Sequence, residues 1–444
     1  MKIALALCLP ILWIAVLAPL ALGADPAADE VDWKGGTLTF LGLIRDGKFD
    51  DAAAYFDDTV SKMLSPSDLG KLWEKVQEQV GAFKAFGKPR VTLKEKMHVV
   101  EVPTKFEWQP LMFQVTWDEE GAVAGFRLLP APADAFPSEQ KPSEFPEEPV
   151  SVGTDPWMLP GTLTLPKAGS APYPAVILLH GSGPNDRDET IGANKPFREI
   201  AEGLAARGIA VLRYDKRTRV HGAKMAAGPI TVDEEVLQDA NAAIALLKTR
   251  PQIDPKRIYV AGHSLGALLA PVVATQNPDL AGIAMLAGAA RPLGEVLVDQ
   301  LSYIRSIATD STSIAALAQL EAQARAAMEP SAPDSLIVMG MTVAYIRDLD
   351  RRDVVGAARK LTLPVFVAQG GRDYQATEAD LDLWKAALAG NPKASYKLYP
   401  DLDHLFHRGS AKARPEDYMK PGEVAPELIE DLAAWIQGSG GETK

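Results

Sequence analysis

The chain has 444 residues, 47% of them hydrophobic and 23% charged, proportions that exclude a disordered tail and a collagen-like fibre and guarantee a sizeable core. Its 46 basic and 58 acidic side chains leave a net charge of −12. A surface of that sign repels phosphate backbones and anionic lipid head groups, which excludes a basic nucleic-acid binder. Length alone allows about three domains at roughly 150 residues each, although one large α/β domain can absorb two of those shares.

Met1-Lys2 leads into an apolar run from Ile3 to Leu22 and the small-residue stretch Ala21-Leu22-Gly23-Ala24, the pattern of a secretory signal peptide spanning residues 1–23. Pro10 and Pro19 interrupt the run, which argues for removal over a retained membrane anchor. The single cysteine, Cys8, lies inside this run, and Leu5-Ala6-Leu7-Cys8 stands too close to Met1 to act as a lipoprotein box. A mature chain beginning near Ala24 therefore has no cysteine. Thiol catalysis, a cysteine metal site and disulfides are all ruled out for it, and its core alone must hold it together outside the cytoplasm.

Residues 37–129 read as a small α+β domain. Ser65-Pro66-Ser67-Asp68 opens a helix with a cap residue, proline at the first helical position and an acid in the first turn, and Leu69, Leu72, Trp73, Val76 and Val80 follow at helical spacing. Strands are expected over Val91–Val102, Leu111–Trp117 and Ala122–Leu129, the last two joined by the Asp118-Glu119-Glu120-Gly121 hairpin loop. His98 is the only histidine in this block, and a lone strand histidine predicts packing rather than chemistry. Trp33, Trp73, Trp108 and Trp117 fit mostly as core, with docking or dimerisation as weaker uses. Between Pro130 and Pro149 stand six prolines and five acids with little apolar periodicity, the composition of an extended linker.

Residues 150–437 alternate short apolar runs with helical stretches. The runs Ala175–Leu179, Ile209–Arg213, Ile258–Ala261, Gly282–Leu286, Val365–Ala368 and Tyr396–Leu398 predict an α/β domain whose mostly parallel sheet carries helices on both faces. Thr231-Val232-Asp233-Glu234 reads as a capping box opening a helix that runs through Leu247, with Pro251 beyond it. From about 293 to 355 an alanine-rich insert replaces the alternation, placed to act as a helical lid over the strand ends.

Gly262-His263-Ser264-Leu265-Gly266 is a G-x-S-x-G motif lying between an expected strand and an apolar helix. That context puts a serine hydroxyl on a tight turn at a helix N-terminus, where developing negative charge is favoured. A nucleophilic serine needs a histidine base, an acid to orient it and donors for the oxyanion. Downstream of Ser264 stand only His404 and His407. His404, in the Tyr399–Asp403 loop past the last strand, is the better base; His407 fits a surface residue as well. Asp373 follows the strand Val365–Ala368 directly and is the expected acid, ahead of Asp401 and Asp403, which lie too near the histidine in sequence to fold back onto its ring. The oxyanion donors expected are the backbone amides of Leu265 and of Ser182, with Gly181 as the alternative to Ser182. His180 and His263 are expected to serve backbone motifs. No H-E-x-x-H or similar cluster, no Walker lysine and no G-x-G-x-x-G spacing is present, so neither a metal nor a nucleotide cofactor is implied.

HGSGPNDRD at His180–Asp188, Arg213-Tyr214-Asp215-Lys216-Arg217, GHSLG, GGRD and the Asp403-His404 loop together resemble the α/β-hydrolase superfamily. More narrowly they resemble bacterial esterase-D-type hydrolases that carry an N-terminal domain of unknown function. The resemblance covers about Glu147 to Gln437 and, more loosely, Thr37–Leu129. It implies a carboxylic-ester hydrolase with Ser264, Asp373 and His404 as its triad, a small-molecule ester as substrate and no cofactor. It assigns no catalytic role to Asn185–Asp188 or Arg213–Arg217, for which strand-end salt bridges are the expected use. The resulting expectation is an exported, periplasmic or extracellular serine esterase without a membrane anchor after signal cleavage and without a nucleic-acid partner; its oligomeric state is left open. A prolyl-oligopeptidase-type serine peptidase is the second enzymatic possibility, opposed by an N-terminal block too short for a propeller. A thioesterase is disfavoured because coenzyme A esters are intracellular. A non-catalytic binding module would show a broken triad, and all three positions are filled.

Overall fold

The computed structural model describes residues 32–131, 135–136, 142–226 and 228–439; the apolar run expected to be an export signal, Cys8 included, lies outside them. The chain divides into two compact units. Among the described residues no helix is long and apolar enough to cross a membrane.

In the N-terminal unit the Ser65 hydroxyl accepts the Asp68 N–H at 3.2 Å and Pro66 opens the helix Pro66–Val80, as the capping pattern requires. Leu69, Trp73, Val76 and Val80 turn inward from it onto an antiparallel sheet. The strands are β1 (Phe83–Phe86), β2 (Arg90–Lys94), β3 (Met97–Phe106), β4 (Leu111–Trp117) and β5 (Val123–Pro130), in the order β1-β3-β4-β5 with β2 also on β3. The single strand expected over Val91–Val102 is thus two, folded at Glu95, whose φ of +57° makes a turn without glycine. A helix over Trp33–Arg45 begins ahead of Thr37, capped by the Asp32 carboxylate on the Gly35 N–H at 2.9 Å; two glycines in its first turn hide it from periodicity. Trp73 and Trp117 are core, the latter donating its indole N–H to Thr37 Oγ1 at 2.8 Å. His98 stacks on Trp33 with ring centroids 4.2 Å apart, a packing role.

The second unit is built on eight strands: β6 (Glu147–Val152), β7 (Leu159–Thr164), β8 (Tyr173–Leu179), β9 (Ala210–Tyr214), β10 (Ile253–His263), β11 (Gly282–Leu286), β14 (Val365–Gly370) and β15 (Ala394–Tyr399), with the short hairpin β12 (Ile337–Val338) and β13 (Met341–Thr342) between β11 and β14. The sheet order is β15-β14-β11-β10-β8-β9-β7-β6, parallel from β15 to β9 and antiparallel at β7 and β6. Residues of β8 alternate between two cores: Ala175, Ile177 and Leu179 meet the helices Gln238–Lys248 and Leu265–Gln276, while Val176 and Leu178 meet Pro196–Ala205 and Pro426–Ser439. Both faces being covered, the strand reads as an unbroken apolar run. Each such Leu or Ile contributes about 1.5–3 kcal/mol by burial.

The linker expected to reach Pro149 ends earlier, because Glu147–Val152 is the edge strand β6, with Val150 and Val152 buried. Pro149 is tolerated there because an edge strand has one side without a ladder partner. At Thr231 the capping contact forms, its N–H donating to Glu234 Oε2 at 3.1 Å, yet Asp233–Leu237 winds as a π turn before the α-helix starts. That turn carries Glu235 inward. Between β11 and β14 the helices Leu293–Ile307, Ser311–Met328 and Val343–Asp350 gather around their own buried set, including Leu297, Leu301, Leu317, Val338 and Ile346, while the short helix Val354–Arg359 returns to the core of the sheet. Gln300 donates to the Gln375 carbonyl at 3.2 Å and the Tyr303 hydroxyl to the Ala413 carbonyl at 3.0 Å, so the insert lies over loops at the C-terminal ends of β14 and β15.

Candidate active site

Strand β10 ends at His263 and a helix begins at Leu265, which leaves Ser264 alone on the turn with φ +53° and ψ −113°. A serine held there stores about 1–3 kcal/mol of backbone strain. Its surroundings enforce it: the Ser264 N–H donates to the Leu286 carbonyl of β11 at 2.9 Å, and its carbonyl accepts the Leu268 N–H at 2.9 Å. The two glycines of the motif are steric necessities. A Cβ on Gly262 would lie 2.1 Å from the Gly266 oxygen, and one on Gly266 would lie 2.2 Å from the Leu179 oxygen.

Asp373 and His404 meet beneath the insert. Asp373 Oδ2 faces His404 Nδ1 at 2.6 Å, with both side chains almost wholly buried. Asp373 is itself held: Oδ1 accepts the amides of Gln375 at 2.7 Å and Ala376 at 3.2 Å, and Oδ2 accepts from Gln369 Nε2 at 3.2 Å. A carboxylate so placed makes Nδ1 the donor and leaves Nε2 of the neutral ring as the basic nitrogen. The competing acids do other work. Asp403 Oδ1 accepts the amides of Leu405 and His407, and Asp401 pairs with Arg408. Burial pushes the Asp403 carboxyl up to about 6 against the pull of those amides. His407 is not at the surface: it is 6% exposed, and burial lowers it to about 4. The loop therefore has a buried neutral histidine as well as the acid-paired one.

The loop after β8 approaches the serine closely. A Cβ on Gly181 would sit 3.2 Å from the Ser264 Cβ. The Gly181 N–H is engaged, donating to Glu189 Oε1 at 2.6 Å, which removes it as an oxyanion donor. Among the described residues the Ser182 N–H has no acceptor, and the Leu265 N–H is the first of a helix and has no intrahelical one. His180 packs between Phe197 and Tyr214, and burial lowers it to about 4.

His263 has a larger role than a backbone motif demands. Its Nε2 donates to the His404 carbonyl at 2.9 Å, while Nδ1 stands 2.9 Å from Glu189 Oε2 as an ion pair rather than an aligned hydrogen bond. Burial opposes charge on this ring, but the Glu189 carboxylate outweighs it and raises His263; for Glu189, burial is likewise overcome and its carboxyl is lowered. Glu189 is 1% exposed and holds a left-handed φ of +51°. One buried pair thus joins the loop after β8, the serine turn and the His404 loop. No sequence signal marks Glu189; its place in the HGSGPNDRDE run is visible only once the loop is folded. Among the described residues no three His, Cys, Asp or Glu side chains converge as a metal site would.

Residues 171–410 match the family described as Serine aminopeptidase, S33, and residues 38–126 match a protein of unknown function, DUF3887. Esterase EstD of Thermotoga maritima is 37% identical over 415 residues, covering 89% of this chain and 97% of that protein. Thiohydrolase apmlB of Arthrinium phaeospermum is 37% identical over 93 residues, 20% of this chain and 30% of that one. Among solved structures, Est1E from Butyrivibrio proteoclasticus is 17% identical with a TM-score of 0.45, covering 65% of this chain and 99% of its own. The Pyrococcus furiosus esterase Pf2001 is 16% identical with a TM-score of 0.43, covering 67% and 92%. The strand order, the serine turn and the near full-length identity to an esterase converge: this chain belongs to the esterase-type α/β hydrolases.

Proposed function

We propose that Ser264, His404 and Asp373 form a catalytic triad that hydrolyses small or medium acyl esters through an acyl-enzyme. The observation that carries this reading is the buried 2.6 Å contact of His404 Nδ1 with Asp373 Oδ2, on the loops beside the strained Ser264 turn. His404 Nε2 takes the hydroxyl proton as Ser264 Oγ bonds to the ester carbonyl carbon. Asp373 holds the resulting imidazolium, and the Ser182 and Leu265 amides receive the oxyanion. The imidazolium then gives its proton to the departing alcohol. Water, deprotonated by the same nitrogen, attacks the acyl-enzyme and releases the acid while Ser264 recovers its proton.

The proposal includes export, supported by the Met1-Lys2 start, the apolar run Ile3–Leu22 and the small residues before Ala24. Secretion of a product whose mass begins near Ala24 checks that part. A p-nitrophenyl ester series from acetate to palmitate, run with Ser264→Ala and beside a proline-containing peptide amide, checks the chemistry. Ester turnover abolished by the substitution is expected. Turnover of the peptide but not the esters would replace the reading with a peptidase, and activity retained by Ser264→Ala would remove the triad.

A further inference from the structure

The segment Arg213–Arg217 carries dense charge, and most of it is accounted for by pairing: Arg213 with Asp188 and Glu147, Asp215 with Arg187, Arg217 with Asp239. Lys216 differs. Its side chain is 3% exposed, and its Nζ reaches a main-chain oxygen, the Gly181 carbonyl, at 2.8 Å, while also lying 2.5 Å from Glu235 Oε1. Asn185 Nδ2 donates to the same carbonyl at 3.1 Å.

That carbonyl belongs to the Gly181–Ser182 peptide. The C=O and N–H of one trans peptide lie in a plane and point in opposite directions, so whatever fixes the Gly181 oxygen also fixes the Ser182 N–H. A cation on the carbonyl draws electron density through the amide and strengthens the N–H as a donor. Stability does not explain the arrangement, since a buried ion pair is commonly no better than an apolar pair of similar volume. The Glu189 contact at 2.6 Å secures the preceding amide, so both flanks of the donor are tied to buried charges.

We propose that Lys216 is a positioning residue for ester hydrolysis, its ammonium orienting and polarising the Gly181–Ser182 peptide so that the Ser182 N–H receives the oxyanion. This rests on the reading of Ser182 as an oxyanion donor. No covalent step involves Lys216. Its effect is felt when negative charge develops on the substrate oxygen, so it should act on kcat and on transition-state mimics rather than on substrate binding.

The test is the double variant Lys216→Met with Glu235→Gln, which removes both charges and leaves neither stranded. Folding is checked by circular dichroism and thermal melting. For a p-nitrophenyl ester, kcat is expected to fall about tenfold to a hundredfold with KM within about threefold of the parent; losing an oxyanion donor outright costs about 10²–10³, and here the donor remains but is loosened. Inhibition by a trifluoromethyl ketone, which forms a tetrahedral oxyanion on the serine, is expected to weaken by a similar factor. A folded double variant with parental kcat and parental ketone affinity overturns the proposal, and so does a rise in KM at unchanged kcat. Ser264→Ala runs in the same series: if it stays active the triad reading falls, whereas if it is dead and the double variant is parental, only the Lys216 assignment falls. If the double variant does not fold, Lys216→Gln with Glu235→Gln, which keeps both side chains able to hydrogen-bond but uncharged, carries the test. A severalfold loss of kcat at constant KM is then required, and parental kcat overturns the proposal.

Discussion

Replacing Gly266 with alanine tests whether the serine turn and the oxyanion loop are one mechanical unit. The added Cβ would stand 2.2 Å from the Leu179 oxygen, 2.7 Å from its carbonyl carbon and 2.9 Å from the His180 oxygen. All three atoms are main chain, at the end of β8 just ahead of Gly181 and Ser182, so no rotamer can absorb the clash. Relief to ordinary contact requires a shift of about 1 Å between the helix Leu265–Gln276 and β8. Overpacking of this kind costs about 1–3 kcal/mol, and a displacement of about 1 Å among catalytic groups costs about a hundredfold in rate. Gly266→Ala is therefore expected to lower kcat for a p-nitrophenyl ester about a hundredfold, and to lower the midpoint of urea unfolding. Gly390→Ala, where an added Cβ meets nothing within 4 Å, is the control and should behave as the parent. A folded Gly266→Ala enzyme with parental kcat would refute the reasoning, because it would show that the serine and the oxyanion loop can separate without consequence.

Asp373→Asn is expected to lower kcat about 10³–10⁴-fold with little change in KM, because an amide can offer its N–H to Nδ1 and favour the wrong tautomer; a loss under tenfold in steady-state kinetics would unseat Asp373. Glu189→Gln leaves the raised His263 without its counter-charge and is expected to cost about 3–5 kcal/mol in urea unfolding; a change under about 1 kcal/mol would mean the pair is not an ion pair. His180 and His407, lowered to about 4 by burial, bind protons first in the unfolded chain, so their contribution is present above pH 6.5 and lost as pH falls through about 4. Each is worth about 3 kcal/mol over that window. Asp403, raised to about 6, works the other way, contributing stability below its unfolded value that is lost as pH rises through about 6, and the raised His263, Glu199, Asp239 and Asp350 act in the same direction. The contribution is isolated by His407→Gln: its melting temperature should change less unfavourably than the parent's on acidification from pH 7 to pH 4, and an identical pH dependence would contradict the assigned direction.

The positions of the candidate residues that sit beside regular elements are legible in the sequence. Ser264 was marked by a strand, a turn and a helix all agreeing, and Asp373 by its position just after an apolar run. Their order along the chain needed no three-dimensional knowledge. Other features escaped because their signal is tertiary. His407 looked like a surface residue because nothing in its neighbours reveals that Asp403 turns the loop inward. Glu235 stood on what looked like an ordinary helix, and only the π turn carries it to Lys216. β6 was concealed by Pro149 and two glutamates, although Val150 and Val152 alternate as an edge strand should. The Glu95 turn carries no sequence signal because it uses charged residues where glycine or asparagine is usual.

The insert between β11 and β14 has a mechanical reading. It leaves the sheet after one parallel strand and returns before the next, and the helices Leu293–Ile307 and Ser311–Met328 bury their apolar residues largely against each other and the third helix. Two buried side chains cross that boundary, Tyr345 and Leu349 of the third helix, which join the core of the sheet instead. A substitution at Leu317 or Val338 should therefore loosen the insert alone, whereas one at Tyr345 or Leu349 should be felt in the sheet.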